Sequence, residues 1–405
     1  MSKYNFNERV VRKDAGSLKE TMTPEYISKE GLVSYWGAEF DFPSCPAFSE
    51  GVRKCAERGL YAFTVQNKEY NQHVKWWMEH VRHWKIHESW IVPTHGTIFA
   101  LATAIRLLLK NNERIIVFQP AYNRYEQAAA RMGYETVRSV MNYVKEIDSS
   151  GKLTGHYEIN FVDLEEKMSN SQNKLLVLCN PHNPTGKIAD RQELQRIAEL
   201  SEKYKVPVFC DEIFAEIVLH QNKTVIPYGE IAGKNALAMT CTSLGKAMSL
   251  TGINHANLII LNDDLREAYE KQKYADHYGS IDPMLYAGLM NAYTLEGQEF
   301  VTELCHVIRT NVKRIKSRFY EVLPQARVIE PEGTYVIWID YENLGLDDEK
   351  LEVFLHKEAM FFGDNGEDYG AGRQFYRYSI AVPPEELEKS MKYLERASRK
   401  YGFIE

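Results

Sequence analysis

Apolar and polar positions change rhythm twice along the chain. Residues 1–45 are polar and irregular, which predicts an arm laid over another surface. From about residue 46, short apolar runs alternate with longer stretches of helical period. Residues 97–110 (TIFALATAIRLLLK) read as a mostly apolar, buried helix. Residues 114–119 (RIIVFQ), 174–180 (KLLVLCN), 206–211 (VPVFCD), 236–242 (ALAMTCT) and 256–261 (ANLIIL) are nearly continuous in hydrophobicity. Such runs fit strands covered on both faces. Helical segments such as 190–204 lie between them, and that alternation predicts an α/β unit with a mainly parallel central sheet. After about residue 283 the texture changes. A long amphipathic helical stretch is expected over 283–322, then a strand over 334–340 (TYVIWID), then helix, strand and a charged terminal helix. The predicted organisation is a large unit over 46–283, with residues 1–45 and 284–405 forming an arm and a smaller α+β unit.

At 405 residues, two domains are the natural expectation. With 44% hydrophobic residues the composition is globular. The net charge of -7, with both signs interspersed, argues against nucleic-acid binding, which needs a clustered basic surface. Cys45, Cys55, Cys179, Cys210, Cys241 and Cys305 form no CxxC pair, so buried free thiols and a reducing, cytoplasmic setting are expected. The polar start (MSKYNFNER) lacks a signal-peptide core, and no stretch is long and apolar enough for a membrane span.

In open α/β sheets, ligands bind beyond the carboxyl ends of the strands. Asn180, Asp211 and Thr242-Ser243 stand at such ends and are expected to converge on one crevice. Asn180-Pro181-His182-Asn183-Pro184-Thr185-Gly186 makes a rigid turn that carries Asn183; alone, it is equally a plain turn. Asp211 directly follows a buried run, where a carboxylate needs a partner such as a pyridinium nitrogen, or else caps a helix. Ser243-Leu244-Gly245-Lys246 fits a hydroxyl on phosphate beside an amine on an aldehyde. It also fits the acylating serine of penicillin-binding proteins, but that chemistry needs Ser-Asp-Asn and Lys-Thr-Gly, and neither occurs. His95-Gly96-Thr97 precedes the apolar helix, whose free N–H groups suit a phosphate or mark a simple helix start. His73, His80, His83 and His87 lack the HExxH pattern of a metal site, and no metal is expected. Residues 229–234 lack the pattern of a P-loop, and Trp76, Trp77 and Trp84 read as helix packing.

Taken together, Gly96, Tyr122, Asn183, Asp211, Lys246 and Arg377 resemble, in order and spacing, the fold-type I enzymes that depend on pyridoxal 5'-phosphate (PLP). Within that superfamily the chain is similar to the carbon–sulfur lyase branch, the bacterial cystathionine β-lyase-like proteins. The likeness rests on residues 16–19 (GSLK), 36–42 (WGAEFDF), 180–186 (NPHNPTG), 331–335 (PEGTY) and 375–377 (FYR). The resemblance implies that Lys246 holds the cofactor as a Schiff base and then moves the substrate's Cα proton. It implies that Asp211 pairs with the ring nitrogen, that Asn183 donates to the phenolic oxygen and that Tyr122 stacks on the ring. Gly96, Thr97 and Ser243 would hold the phosphate. Asn254 stands where many aminotransferases keep a phosphate-binding arginine. Arg377, with Ala38 and Asn183, would bind the substrate; the other reading of Arg377 is a surface charge.

Departures from the branch cluster in one pocket. Phe214 replaces a Tyr or His that donates to the phenolic oxygen. Phe63 replaces a Tyr contributed by the neighbouring subunit, with Tyr61 nearby. His95 and Gly245 replace commoner Pro and Ser. These changes point to an altered substrate or a weaker enzyme. The resemblance implies a homodimer acting on a small amino-acid substrate, by α,β-elimination of an L-cysteine derivative to thiol, pyruvate and ammonia. An aminotransferase, or a PLP-bearing protein that regulates a transcription factor, are the alternatives.

Overall fold

The computed structural model describes residues 3–405; Met1 and Ser2, the start of the expected arm, lie outside the described residues. Thirteen strands occur among them. β1 is Ile91–Thr94, β2 Arg114–Gln119, β3 Glu135–Val140, β4 Asn142–Ile147, β5 Leu153–Glu158, β6 Asn173–Cys179 and β7 Val208–Asp211. β8 is Ala238–Thr242, β9 Ala256–Ile259, β10 Arg327–Ile329, β11 Val336–Asp340, β12 Asp364–Asn365 and β13 Phe375–Ser379. The central sheet has the order β1-β9-β8-β7-β6-β2-β3, a second sheet the order β10-β11-β13-β12, and β4 and β5 form a hairpin.

The apolar runs are continuous because both faces of the central sheet are covered. Ile115, Val117, Leu175, Val177, Phe209, Met239 and Cys241 pack on one face, beneath the helix Thr97–Leu108. Ile116, Phe118, Leu176, Leu178, Val208, Cys210 and Ala238 pack on the other, against the helix Arg191–Tyr204. That alternation is the period of two of a strand, with apolar residues at both phases. The helix begins with the capping box of Asp190 and Glu193.

The sheet is mainly parallel, as expected, with one correction: β9 runs antiparallel to both β8 and β1. The connection from β8, residues 243–255, contains no helix to carry the chain back across the sheet, so β9 returns antiparallel from the end at which β8 stops. Apolar patterning cannot report strand direction. The two edge strands were not visible in the patterning either. β1 contains Pro93, which an edge strand tolerates, and β3 is largely exposed.

The helical stretch over 283–322 is two helices, Pro283–Ala292 and Leu295–Val322. Gly297 makes the break possible, since a Cβ there would sit 1.9 Å from the carbonyl oxygen of Ala292. The longer helix buries Phe300, Leu304, Ile308, Val312, Ile315, Phe319 and Val322, a stripe with steps of three and four. β11 is buried throughout. The amphipathic terminal helix is Pro384–Lys400.

Residues 35–41 run beside the second sheet. The Ser379 N–H donates to Tyr35 O, the Tyr35 N–H to Phe362 O and the Asp41 N–H to Ala381 O. All six cysteines are buried and free. Among the described residues no helix is long and apolar enough to cross a membrane, and no cluster of ligating side chains could hold a metal. Trp77 and Trp84 are buried in the largest core cluster, as expected, and Trp77 also donates to Glu216.

Candidate functional site

Five strand ends meet at one edge of the central sheet. β1 leads through His95-Gly96 into the helix Thr97–Leu108, and β2 leads through Pro120-Ala121 to Tyr122. β6 is followed by the 180–186 turn, β7 ends on Asp211, and β8 is followed by the segment carrying Ser243 and Lys246. Two adjoining cavities open there, of about 310 and 410 Å³. Both are lined by Tyr122, Asp211, Ile213, Lys246 and Thr251.

Lys246 Nζ donates to the carbonyl oxygen of Ala38 at 3.0 Å. The same oxygen accepts from Tyr335 Oη at 2.9 Å and Thr251 Oγ1 at 3.4 Å. Burial, helped by the charge of Arg377, pushes the Lys246 ammonium down to about 8, against the pull of Glu39 and Asp211. Phe214 is buried, packs edge-on to Tyr335 at 5.3 Å and lies 5.7 Å from Lys246 Nζ.

Asp211 is only 2% exposed. Its Oδ2 accepts from Tyr125 Oη at 2.5 Å and its Oδ1 from the N–H of Ile213 at 3.2 Å. Burial pushes the carboxyl up to about 6; those two bonds and the charge of Lys246 pull the other way. Asp211 caps no helix, because the residues after β7 form turns.

Arg377 on β13 is not a surface charge: it is 3% exposed. Nε and Nη2 donate to Asp364 Oδ2 at 3.1 and 2.8 Å, and Nη1 donates to Asn183 Oδ1 at 3.0 Å. Its guanidinium lies over the ring of Tyr369 at 4.8 Å. Burial opposes its charge, but the Asp364 carboxylate more than offsets that and holds it above its ordinary value. Asp364 also accepts from the N–H of Gly37, tying the arm to the same carboxylate. The turn that carries Asn183 is itself locked by His182 and Thr185, 2.8 Å apart, and burial pushes His182 down to about 3.

Asn180 departs from expectation. It stands at its strand end, but its Oδ1 accepts from the N–H of Ala189, and it lines neither cavity. The three-strand convergence is therefore made by Asn183, Asp211 and Ser243.

Gly96, Thr97, Ser243, Asn254 and His255 line the second cavity. Gly96, at φ 83°, caps the helix without a side chain, so its first N–H groups face open space. Ser243 Oγ donates to His255 O at 2.7 Å and accepts from the N–H of Gly245 at 3.0 Å. Tyr61 and Phe63 line neither of these cavities. They face a wider surface concavity of about 990 Å³, which adjoins the second cavity through His95, Ile253 and Asn254.

The arm motifs meet in space. Lys19 Nζ donates to Asp41 Oδ2 at 2.5 Å, with both side chains buried. Arg12 binds Asp41, Glu39 and the carbonyl of Phe40. This clasp holds the 36–42 segment whose Ala38 carbonyl receives Lys246. Tyr125, Asp364, Tyr369 and the cavity-lining Arg124 were not singled out in the sequence. Asp364 sits in a two-residue strand with no local signal. Tyr125 lies in the first turn of the helix Arg124–Arg131, just after Tyr122, and nothing in the local pattern sets it apart from a core tyrosine.

These groups fit PLP on structural grounds. The cleft offers an amine of lowered basicity for an aldehyde and a buried carboxylate for a ring nitrogen. It also offers an uncapped helix start for a phosphate and a tyrosine beside all three.

Comparison with known proteins gives the same picture. The sequence profile of one family, aminotransferase class I and II, matches residues 46–394. The chain is 26% identical over 396 residues to the cystathionine β-lyase PatB of Bacillus subtilis, covering 97% of this chain and 99% of that one. It is 24% identical over 399 residues to protein MalY of Escherichia coli, covering 98% and 99%. Cystalysin from Treponema denticola, whose crystal structure contains PLP, superposes with a TM-score of 0.87 at 26% identity, covering 98% of this chain and 99% of that one.

Proposed function

The chain belongs to the aminotransferase class I and II family, and on that premise we propose that it is a PLP-dependent carbon–sulfur β-lyase. The convergence of Lys246, Asp211, Asn183 and Arg377 on one cleft carries the reading, and the likeness to PatB favours elimination over amino transfer. PLP, when bound, supplies an electron-withdrawing ring conjugated to the substrate's Cα.

Lys246 holds the cofactor and, once released from it, takes the Cα proton on Nζ. An amine pushed down to about 8 is a usable base near neutral pH. Asp211 keeps the ring nitrogen protonated. Asn183, with Oδ1 engaged by Arg377, has its Nδ2 donors left for the phenolic oxygen. Tyr122 stacks on the ring. Gly96, Thr97 and Asn254 seat the phosphate, and Ser243 joins them by turning its hydroxyl, which here donates to His255 O, toward the phosphate. Arg377 receives the substrate carboxylate beside Ala38 and Asn183, in the geometry a guanidinium suits. The Cα–H and Cβ–S bonds then break: the proton goes to Lys246 and from there to the departing sulfur, which takes the Cβ–S electron pair and leaves as thiol, and water hydrolyses the three-carbon fragment to pyruvate and ammonia. In this reading residues 46–283 form the cofactor-binding unit, and 1–45 with 284–405 form the unit that closes on the substrate. Two copies pair so that Tyr61 and Phe63 of each reach the phosphate side of the other.

The test is incubation of the PLP-loaded protein with L-cystathionine, assaying pyruvate and free thiol while the cofactor's visible absorption is followed. Release of both products is expected. Conversion of the cofactor to its amine form without pyruvate would establish amino transfer instead.

A further inference from the structure

Tyr125 lies in the helix Arg124–Arg131, is 3% exposed and has one side-chain acceptor at close range, Asp211 Oδ2 at 2.5 Å. Its ring is edge-on to that of Tyr122, with centroids 5.6 Å apart, so the two tyrosines reach the cleft on different errands. The phenol also lies against the thiol of Cys179, a weak partner, and the ring belongs to the core cluster that holds Ala129, Val177 and Phe209. A buried carboxylate is stable only with donors, and Asp211 has two, the Ile213 N–H and this phenol. The other titratable groups facing Asp211 do not replace them. Burial pushes the thiols of Cys179 and Cys241 up, so both stay neutral. Glu212 is turned away onto Arg82 at 2.5 Å and the N–H of Tyr228 at 2.7 Å. Lys246 stands across the cleft and donates to Ala38.

We propose that Tyr125 is a positioning residue that keeps Asp211 ionised and aimed before the cofactor arrives, so that the ring nitrogen meets a ready carboxylate rather than a buried neutral acid. The proposal rests on the reading that places Asp211 at that nitrogen. Without the phenol, Oδ2 loses its side-chain donor while remaining buried, and the neutral acid persists to higher pH. A neutral acid cannot hold a protonated ring nitrogen by charge, so cofactor affinity then depends on pH in a range where the native site is indifferent.

The test compares the full-length protein with Tyr125→Phe and Asp211→Asn. Phenylalanine keeps the ring and its packing. The dissociation constant of PLP is measured from pH 5.5 to 9 by quenching of tryptophan fluorescence, and thermal unfolding without cofactor checks the fold. One hydrogen bond to a charged group corresponds to about tenfold, or roughly one pH unit. Tyr125→Phe is therefore expected to begin losing affinity roughly one pH unit above wild type, to approach a tenfold weaker binding of PLP at pH 5.5, and to converge with wild type at pH 9. Asp211→Asn is expected to bind weakly across the whole range. Unchanged affinity and pH profile in Tyr125→Phe, with Asp211→Asn weakened, overturns the role of Tyr125 alone; a lower melting temperature with the profile unmoved does the same. Wild-type binding by Asp211→Asn overturns the placement of Asp211, and the proposal with it.

Discussion

Position 214 is where a single hydroxyl changes the cleft. Phe214 packs against Tyr335 and cannot donate to the cofactor's phenolic oxygen. Phe214→Tyr is expected to lower, by roughly one unit, the pH at which the visible band of the cofactor-loaded protein changes, since one charged hydrogen bond is added. Absorbance titration of both proteins checks this, and coincident curves would remove the role. Lys246 gives a second pH signature. Its folded value lies below the ordinary lysine value, so its contribution to stability is present above about 10.5 and is lost as pH falls through about 8. The cofactor-free protein should gain stability between those limits, and Lys246→Met should flatten that limb in urea titrations at several pH values. Lys246, Asp211 and Asn183 were legible in the sequence because each follows a buried strand or sits in a proline-locked turn. Asp364 and Tyr369 were not, because their partner Arg377 is close to them only through the pairing of β12 with β13.

At the scale of elements, the arm is a working part of the cleft. The Lys19–Asp41 pair is buried, and Arg12 closes over it. Asp41→Ala leaves Lys19 as an uncompensated buried charge, a loss of about 3 kcal/mol by the usual behaviour of broken buried pairs. Urea denaturation should show that loss. Steady-state kinetics should show a raised KM with little change in PLP affinity, because the clasp holds Ala38 rather than the phosphate side. The interior strands were legible because both of their faces are apolar. The edges β1 and β3, the direction of β9 and the break before Thr294 were not, since they depend on neighbours and on the close approach of Gly297 to Ala292. The clasp itself was visible only as two separated motifs that resemble a family pattern; their contact is tertiary.

At the scale of the molecule, the most exposed large apolar side chain among the described residues is Phe63, at 99%, with Leu60, Tyr61 and Val65 also open to solvent. They gather beside the apolar concavity formed by Phe48, Ile253, Met284 and Leu285. Isolated apolar residues on a surface are ordinary, but a grouped patch marks an interface. If the patch joins two copies with Phe63 at the partner's phosphate side, as proposed, Phe63→Asp should yield monomers in sedimentation experiments and bind PLP more weakly. The chain's own order of synthesis adds a consequence. The groups assigned to the cofactor lie between residues 96 and 254, whereas the guanidinium assigned to the substrate arrives on β13, and the early arm pairs its backbone with residues 362, 379 and 381. A growing chain thus carries the residues of its cofactor seat before its substrate anchor exists, and the 35–41 segment completes its backbone pairing only once residues 362–381 have emerged. On the proposed reading, a chain that stops short of β13 has the cofactor groups but not the guanidinium that anchors the substrate.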